Sequence, residues 1–114
     1  MTITHEDVSE SFRRIVLSGR LDGPGTAEIA SKLAALSTTA QHRVVVDLTQ
    51  VSFLASIGIR AVLSSAKTAQ RNGGRMVLFV GGNPAVTKTL EATGIDTLIP
   101  MFADAGEAEK AALA

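Results

Sequence analysis

The strongest constraint on this chain is an alternation of two hydrophobic periods. Residues 43–48 read RVVVDL and residues 76–80 read MVLFV, short continuous apolar runs of the kind a strand buried on both faces requires. Around them the period lengthens to that of a helix. Ile29, Leu33 and Leu36 fall at i, i+4 and i+7 with Ala30 between them, and Ile59, Val62, Leu63 and Ala66 share one face of a second helix. Strands alternating with helices of about 10 to 16 residues imply right-handed crossovers, and therefore a mostly parallel sheet.

The punctuation supports this pattern. Residues 2–7 predict a polar first strand, with Ser9 and Glu10 as a turn, and residues 12–18, FRRIVLS, a second strand. Gly19 and the loop LDGPG close it, and a helix runs from Thr26 to a break at 37–39. After the third strand, TQVSFLAS at 49–56 reads as a connector. The second helix stops at Asn72-Gly73-Gly74, and Pro84 suits the first turn of a third helix, which carries Val86 and Leu90 and closes at Gly94. Residues 98–101 predict the last strand and 105–113 a terminal helix. The expected order is β-β-α-β-α-β-α-β-α. With 114 residues there is room for one compact α/β domain over residues 1–114, on a mostly parallel sheet of four to five strands.

Composition narrows the function. Lysine plus arginine equals aspartate plus glutamate at 11 each, so no broad basic field is available for nucleic acid. Without tyrosine or tryptophan, base-stacking platforms are not expected either. The absence of cysteine removes disulfides, thiolate metal sites and thiol nucleophiles. The longest apolar run, residues 76–80, is far too short to cross a bilayer, and the polar start MTITHEDVSES does not read as a secretory signal. The expectation is a soluble cytoplasmic domain, monomeric when free, that neither binds nucleic acid nor inserts into a membrane.

In a parallel sheet, function gathers at the carboxyl ends of the strands. Four segments should converge there: 20–25, 49–56, 81–84 and 102–104. They offer Asp22, Thr26, Thr49, Ser52, Ser56, Asn83 and Asp104. A serine hydrolase needs a base within hydrogen-bond reach. His5 lies near the start, and His42 precedes the third strand, roughly 16 Å from the carboxyl edge at ~3.3 Å per residue. Both histidines read as solvated loop residues, and no catalytic residues are expected. Glu6, Asp7 and Glu10 cluster, as do Asp104, Glu107 and Glu109, but neither set has metal-ligand spacing. The turn GGNP at 81–84 could present free amides to a phosphate, yet it matches neither GxGxxG nor GxxxxGK[ST] and reads more simply as the turn into a helix. No cofactor or metal is expected.

Ser56 is the most informative position, and it admits two readings. As a helix N-cap it would contribute about 1 kcal/mol. As a phosphoacceptor it would bring close to two negative charges to the positive end of the second helix. Ile57 lies some 200° from Ile59 at ~100° per residue, so it is either exposed for docking or covered by the 20–25 loop.

The chain resembles the STAS domain of bacterial anti-sigma factor antagonists. The resemblance spans almost the whole chain and rests on the GRLD turn at 19–22, D-L-x-x-V-x-F-L-x-S-x-G at 47–58, NGG-R-x-V-L-F at 72–79 and L-E-x-T-G-I at 90–95. It implies a binding switch with no enzymatic activity. In the family the unphosphorylated domain binds an anti-sigma factor, often a serine kinase of the histidine-kinase-like ATPase fold. That kinase phosphorylates a serine at the start of the second helix, which releases the domain, and a serine/threonine phosphatase resets it. The serine matches Ser56. Asp22 matches the family aspartate beside the acceptor, and Gly58 the glycine that lets a partner approach the helix. Ala55 stands where the family commonly has aspartate, and Ile57 where it commonly has a second serine. The resemblance puts Asp22, Thr26, Ala55, Ser56, Ile57 and Gly58 on the partner surface, continued along the outer face of the second helix by Arg60, Ser64 and Lys67. Stand-alone STAS subunits of ABC-type membrane transport complexes offer an alternative, a fixed adaptor. A third possibility is a small-ligand sensor or an enzyme using the 81–84 turn.

Overall fold

The computed structural model describes residues 1–38 and 43–114; His42 lies outside the described residues. Five strands, β1 (Thr2–Ser9), β2 (Phe12–Leu21), β3 (Arg43–Leu54), β4 (Arg75–Phe79) and β5 (Met101–Phe102), form one sheet in chain order. β1 runs antiparallel to β2, and the other pairings are parallel. Four helices, α1 (Gly23–Ser37), α2 (Ser56–Arg71), α3 (Pro84–Ala92) and α4 (Ala105–Leu113), complete the single α/β domain expected from the periodicity.

Strand alternation splits the apolar residues between two cores. Ile15 and Leu17 of β2, Val44, Val46 and Leu48 of β3, and Met76, Leu78 and Val80 along and just past β4 join Ile29, Leu33, Ile59, Val62, Val86 and Leu90 from α1, α2 and α3 in the larger one. The intervening Val45 and Val77 face the other way and, with Phe12, meet Ala108 and Ala112 of α4. The runs RVVVDL and MVLFV are continuous because both of their faces are covered. On α2 the fully buried positions are Gly58, Ile59, Val62, Ser65 and Ala69, so the core stripe is rotated from the expected one and Leu63 and Ala66 flank it.

Several boundaries differ from the sequence expectation. His5 lies within β1, opposite Ile15, rather than in a loop, although it is exposed. α1 starts at Gly23, ahead of Thr26, because Asp22 caps it and Pro24 suits its first turn. The last strand is Met101–Phe102, not 98–101. Ile95–Thr97 winds into a 3₁₀ turn that leaves Leu98 62% exposed, and β5 pairs through the Pro100 and Phe102 carbonyls to the amides of Leu78 and Val80.

The largest difference is at 49–54, which continues β3 instead of connecting it to α2. Pairing passes from Val16–Asp47 to Ser18–Gln50, and again from Gly19–Val51 to Arg20–Phe53, so β3 holds an extra residue at each step. The first bulge moves the inward set from the alternating 44, 46 and 48 to the odd position Val51, and the second returns it to the even position Leu54. The Asn83 amide holds the irregular stretch. Its Nδ2 donates to the carbonyls of Val51 at 2.7 Å, Leu48 at 3.1 Å and Thr49 at 3.4 Å, while Oδ1 accepts from the Ala85 amide and caps α3. Gly81, at φ +59°, lies so close to Thr49 that a Cβ there would come within 2.9 Å of the threonine methyl. Asn83→Ala strands several of these carbonyls and is expected to cost about 2 kcal/mol in urea unfolding, with a larger loss of hydrogen-exchange protection at 49–54 than in α1.

Candidate functional site

The bulged end of β3 meets the end of β2 at one corner of the molecule. Leu21 pairs with Leu54, and the Ala55 amide donates to the Leu21 carbonyl at 3.0 Å, so the chain turns into α2 beside the 20–25 loop. In that loop Asp22 Oδ1 accepts from the Gly25 amide at 2.9 Å and caps α1, while Oδ2 faces Arg20 Nε at 3.3 Å. Only glycine fits at 25, because a Cβ there would sit 1.9 Å from the Arg20 carbonyl. The Arg20 guanidinium also lies 4.5 Å over the ring of Phe53, its register partner on β3.

Ser56 is exposed and is the first residue of α2. The N-cap is Ala55, whose side chain has no oxygen to offer, so α2 begins without a side-chain cap. The N-cap reading of Ser56 is therefore replaced: its hydroxyl sits one residue too late to fold back on the first-turn amides. Ile57 is 46% exposed and uncovered by the 20–25 loop, and Phe53 is 41% exposed. Along the chain an exposed serine thus lies between two exposed large apolar residues, with Arg20 over the Phe53 ring and paired to Asp22.

The other candidate residues divide by burial. Arg60, Ser64 and Lys67 are exposed along α2, as the spacing predicts, although Lys67 lies about 16 Å from Ser56 at ~1.5 Å per residue. Ala55 and Asp22 are half-buried. Thr26 is only 3% exposed and lies beneath the surface, its hydroxyl without a hydrogen-bond partner among the described residues. Gly58 is also buried. A Cβ there would come 2.9 Å from both Cβ and the carbonyl oxygen of Leu21, so the glycine lets α2 pack closely on this chain's own β2. Phe53 and Arg20 are the members of this corner that the sequence reading passed over. Val51 and Phe53, alternating with polar Gln50 and Ser52, were the available signal for strand, but the bulges decide which of these residues faces outward.

Asn83 and Gly81, the residues of the 81–84 turn that could cradle an anion, are committed to the bulged strand and the cap of α3. Among the described residues no three histidine, aspartate or glutamate side chains come together to hold a metal, and no helix is long and apolar enough to cross a membrane.

The Gly25 amide bond lowers the Asp22 pKa below the ordinary aspartate value, against partial desolvation and with help from Arg20. A lowered folded pKa means that this stabilisation is complete above the unfolded value of about 3.9 and drains away as the pH falls through the folded one. Asp22→Asn keeps a capping oxygen but loses the charge. It is expected to melt below wild type at about pH 6, with the gap closing as the pH drops below about 4. Gly58→Ala is expected to lose about 1–3 kcal/mol in urea unfolding, because the Leu21 backbone it strikes cannot rotate away.

Comparison with known proteins adds to this geometry. Residues 5–108 match the family model of the STAS domain. BtrV of Bordetella bronchiseptica, named as an anti-sigma factor antagonist, is 31% identical over 96 residues, covering 84% of this chain and 81% of that protein. An anti-sigma factor antagonist from Mycobacterium paratuberculosis superposes with a TM-score of 0.87 at 22% identity, over 99% of this chain and 94% of the other. The Bacillus cell fate determinant SpoIIAA in its phosphorylated form gives 0.69 at 22% identity, over 94% and 96%. The two structural matches show a shared fold.

Proposed function

The chain belongs to the STAS domain family, and on that premise we propose that it is an anti-sigma factor antagonist whose partner docks on the Phe53–Ser56–Ile57 corner and is released when Ser56 is phosphorylated. The observation that carries this reading is the position of Ser56. It is exposed, it opens α2, and it is flanked by apolar side chains that the fold leaves uncovered. Apolar anchors surrounding a small polar group suit docking, because burying Phe53 and Ile57 supplies favourable area while a serine hydroxyl is cheap to desolvate. A phosphate changes only the second quantity. It adds close to two charges at a helix end whose amides have no side-chain cap, a position the isolated domain tolerates and a desolvated interface does not.

Asp22 and Arg20 border the same surface and supply its polar edge. Arg60 and Ser64 extend it along α2, and Lys67 lies at its far limit. Ala55 is half-buried and contributes backbone, since its amide is held by Leu21. The partner would be an anti-sigma factor in the cytoplasm, a serine kinase of the histidine-kinase-like ATPase fold, with a serine/threonine phosphatase visiting to restore the hydroxyl. The relationship to BtrV, named as an anti-sigma factor antagonist, supports the partner class, and the likeness in fold to SpoIIAA in its phosphorylated form supports a phosphorylated state.

Ala55 favours one second reading. With no carboxylate at the N-cap, α2 lacks the acidic neighbour that commonly precedes the family's acceptor serine, as a fixed adaptor in a transport complex would permit. Affinity capture separates the two. Tagged wild type is expected to retain an anti-sigma factor from its own cell extract, and Ser56→Asp to lose at least about a hundredfold in affinity, roughly 2.7 kcal/mol, with an unchanged melting temperature. If both baits hold the same transporter subunits and Ser56 carries no phosphate in growing or stressed cells, the adaptor reading replaces the switch.

A further inference from the structure

Ser56 and Arg60 occupy positions i and i+4 of α2, and both are exposed. At ~100° per residue they lie about 40° apart around the helix axis, one turn removed, with Cβ atoms roughly 5–6 Å apart. Helical side chains lean toward the N-terminus, so Arg60 leans back toward Ser56 and not away from it. Negative before positive is also the favourable order for a pair at this spacing. The unmodified serine offers the guanidinium no charge, and Arg60 takes part in no ion pair among the described residues.

The other cations on this side of the domain are not equivalent. Arg20 lies over the Phe53 ring and pairs with Asp22 at 3.3 Å, and the Asp22 carboxylate also accepts from the Gly25 amide. Lys67 stands about 16 Å along the axis from Ser56 at ~1.5 Å per residue, and Arg71 farther still. Both are beyond the Debye length of about 8 Å at physiological salt. α2 carries no acidic residue to compete for Arg60, and Ala55 puts no carboxylate beside Ser56 to repel a phosphate.

We propose that Arg60 is the intramolecular ligand of a phosphate carried by Ser56. A phosphoserine presents close to two negative charges and three acceptor oxygens, which the guanidinium fork meets with two parallel N–H donors. The inference rests on the reading of Ser56 as the phosphoacceptor and gives the modification a second consequence. In the unmodified domain the Arg60 side chain is free to meet a partner along α2; on phosphorylation it is drawn back to the phosphate. The docking surface then gains a negative group and loses a donor in the same event.

Phosphoserine incorporated at position 56 during synthesis tests this with neither kinase nor partner present. Phosphorus NMR titrations of the modified full chain are compared for wild type, Arg60→Gln, Arg60→Lys and Lys67→Gln. Arg60 favours the dianion, so the wild-type phosphate, whose second ionisation ordinarily falls near pH ~6, is expected to hold its second proton at least about threefold less tightly than in Arg60→Gln. Arg60→Lys keeps the charge and is expected to recover part of that difference, while Lys67→Gln matches wild type. The Nε–H resonance of Arg60 is expected to move when the phosphate is present, and that of Arg71 to stay. The proposal is overturned if Arg60→Gln holds the proton as wild type does, if Arg60→Lys recovers nothing, if Lys67→Gln changes the proton affinity as much, or if the Arg60 resonance is the same with and without phosphate. Failure of the switch reading shows elsewhere, as a partner that Ser56→Asp still retains.

Discussion

The carboxyl end of β3 depends on one side chain that is not part of it. Two bulges leave that stretch with carbonyls that regular pairing with β2 does not serve, and the Asn83 amide gathers those of Leu48, Thr49 and Val51. Unpaired backbone acceptors at a half-buried site are expensive, so the bulged path is stable only with this partner present. The same asparagine caps α3 through its oxygen, which ties the start of that helix to the strand it holds. Once Leu54 is brought to Leu21, the Ala55 amide finds the Leu21 carbonyl and α2 has only one place to begin.

That geometry creates the division of labour at the Ser56 corner. The inward side is tight: Gly58 lies where no methyl group fits against Leu21, and Gly25 where none fits against the Arg20 carbonyl. The outward side is correspondingly unfilled, with Phe53 and Ile57 turned away from the core and Arg20 resting over the phenylalanine ring. A rigid base below a loosely covered apolar pair is a pre-organised docking surface, since its side chains need little ordering when a partner arrives. The absence of a side-chain cap at Ala55 leaves α2's amide end open to a negative group attached one residue later.

The elements legible in the sequence were those with a clean period. The runs at 43–48 and 76–80, the helical stripes through Leu33 and Val62, the Asn-Gly-Gly stop and the Pro84 start all follow from local rules that need no knowledge of neighbours. The helical angle from Ile59 turns Ile57 off the core stripe, but only the fold shows that the 20–25 loop leaves it uncovered. The misread places share a different cause. TQVSFL looks like a connector because its inward residues, Val51 and Leu54, are spaced by three, and only the pairing with β2 shows that bulges produced that spacing. Thr26 and Gly58 sit in recognisable motifs, but burial depends on what lies across from them, and Leu21 is 37 residues away from Gly58 in the chain.

By itself, then, the sequence determined the class of sheet, the number and order of the helices, the family and the identity of the exposed serine, because hydrophobic period and short motifs are properties of neighbouring residues. Tertiary structure decided which of the motif residues are surface and which are support. It also placed Asn83 under β3 and put Phe53 beside Arg20. Those outcomes turn on strand register and close packing between distant segments, and neither is written in any single stretch of the chain.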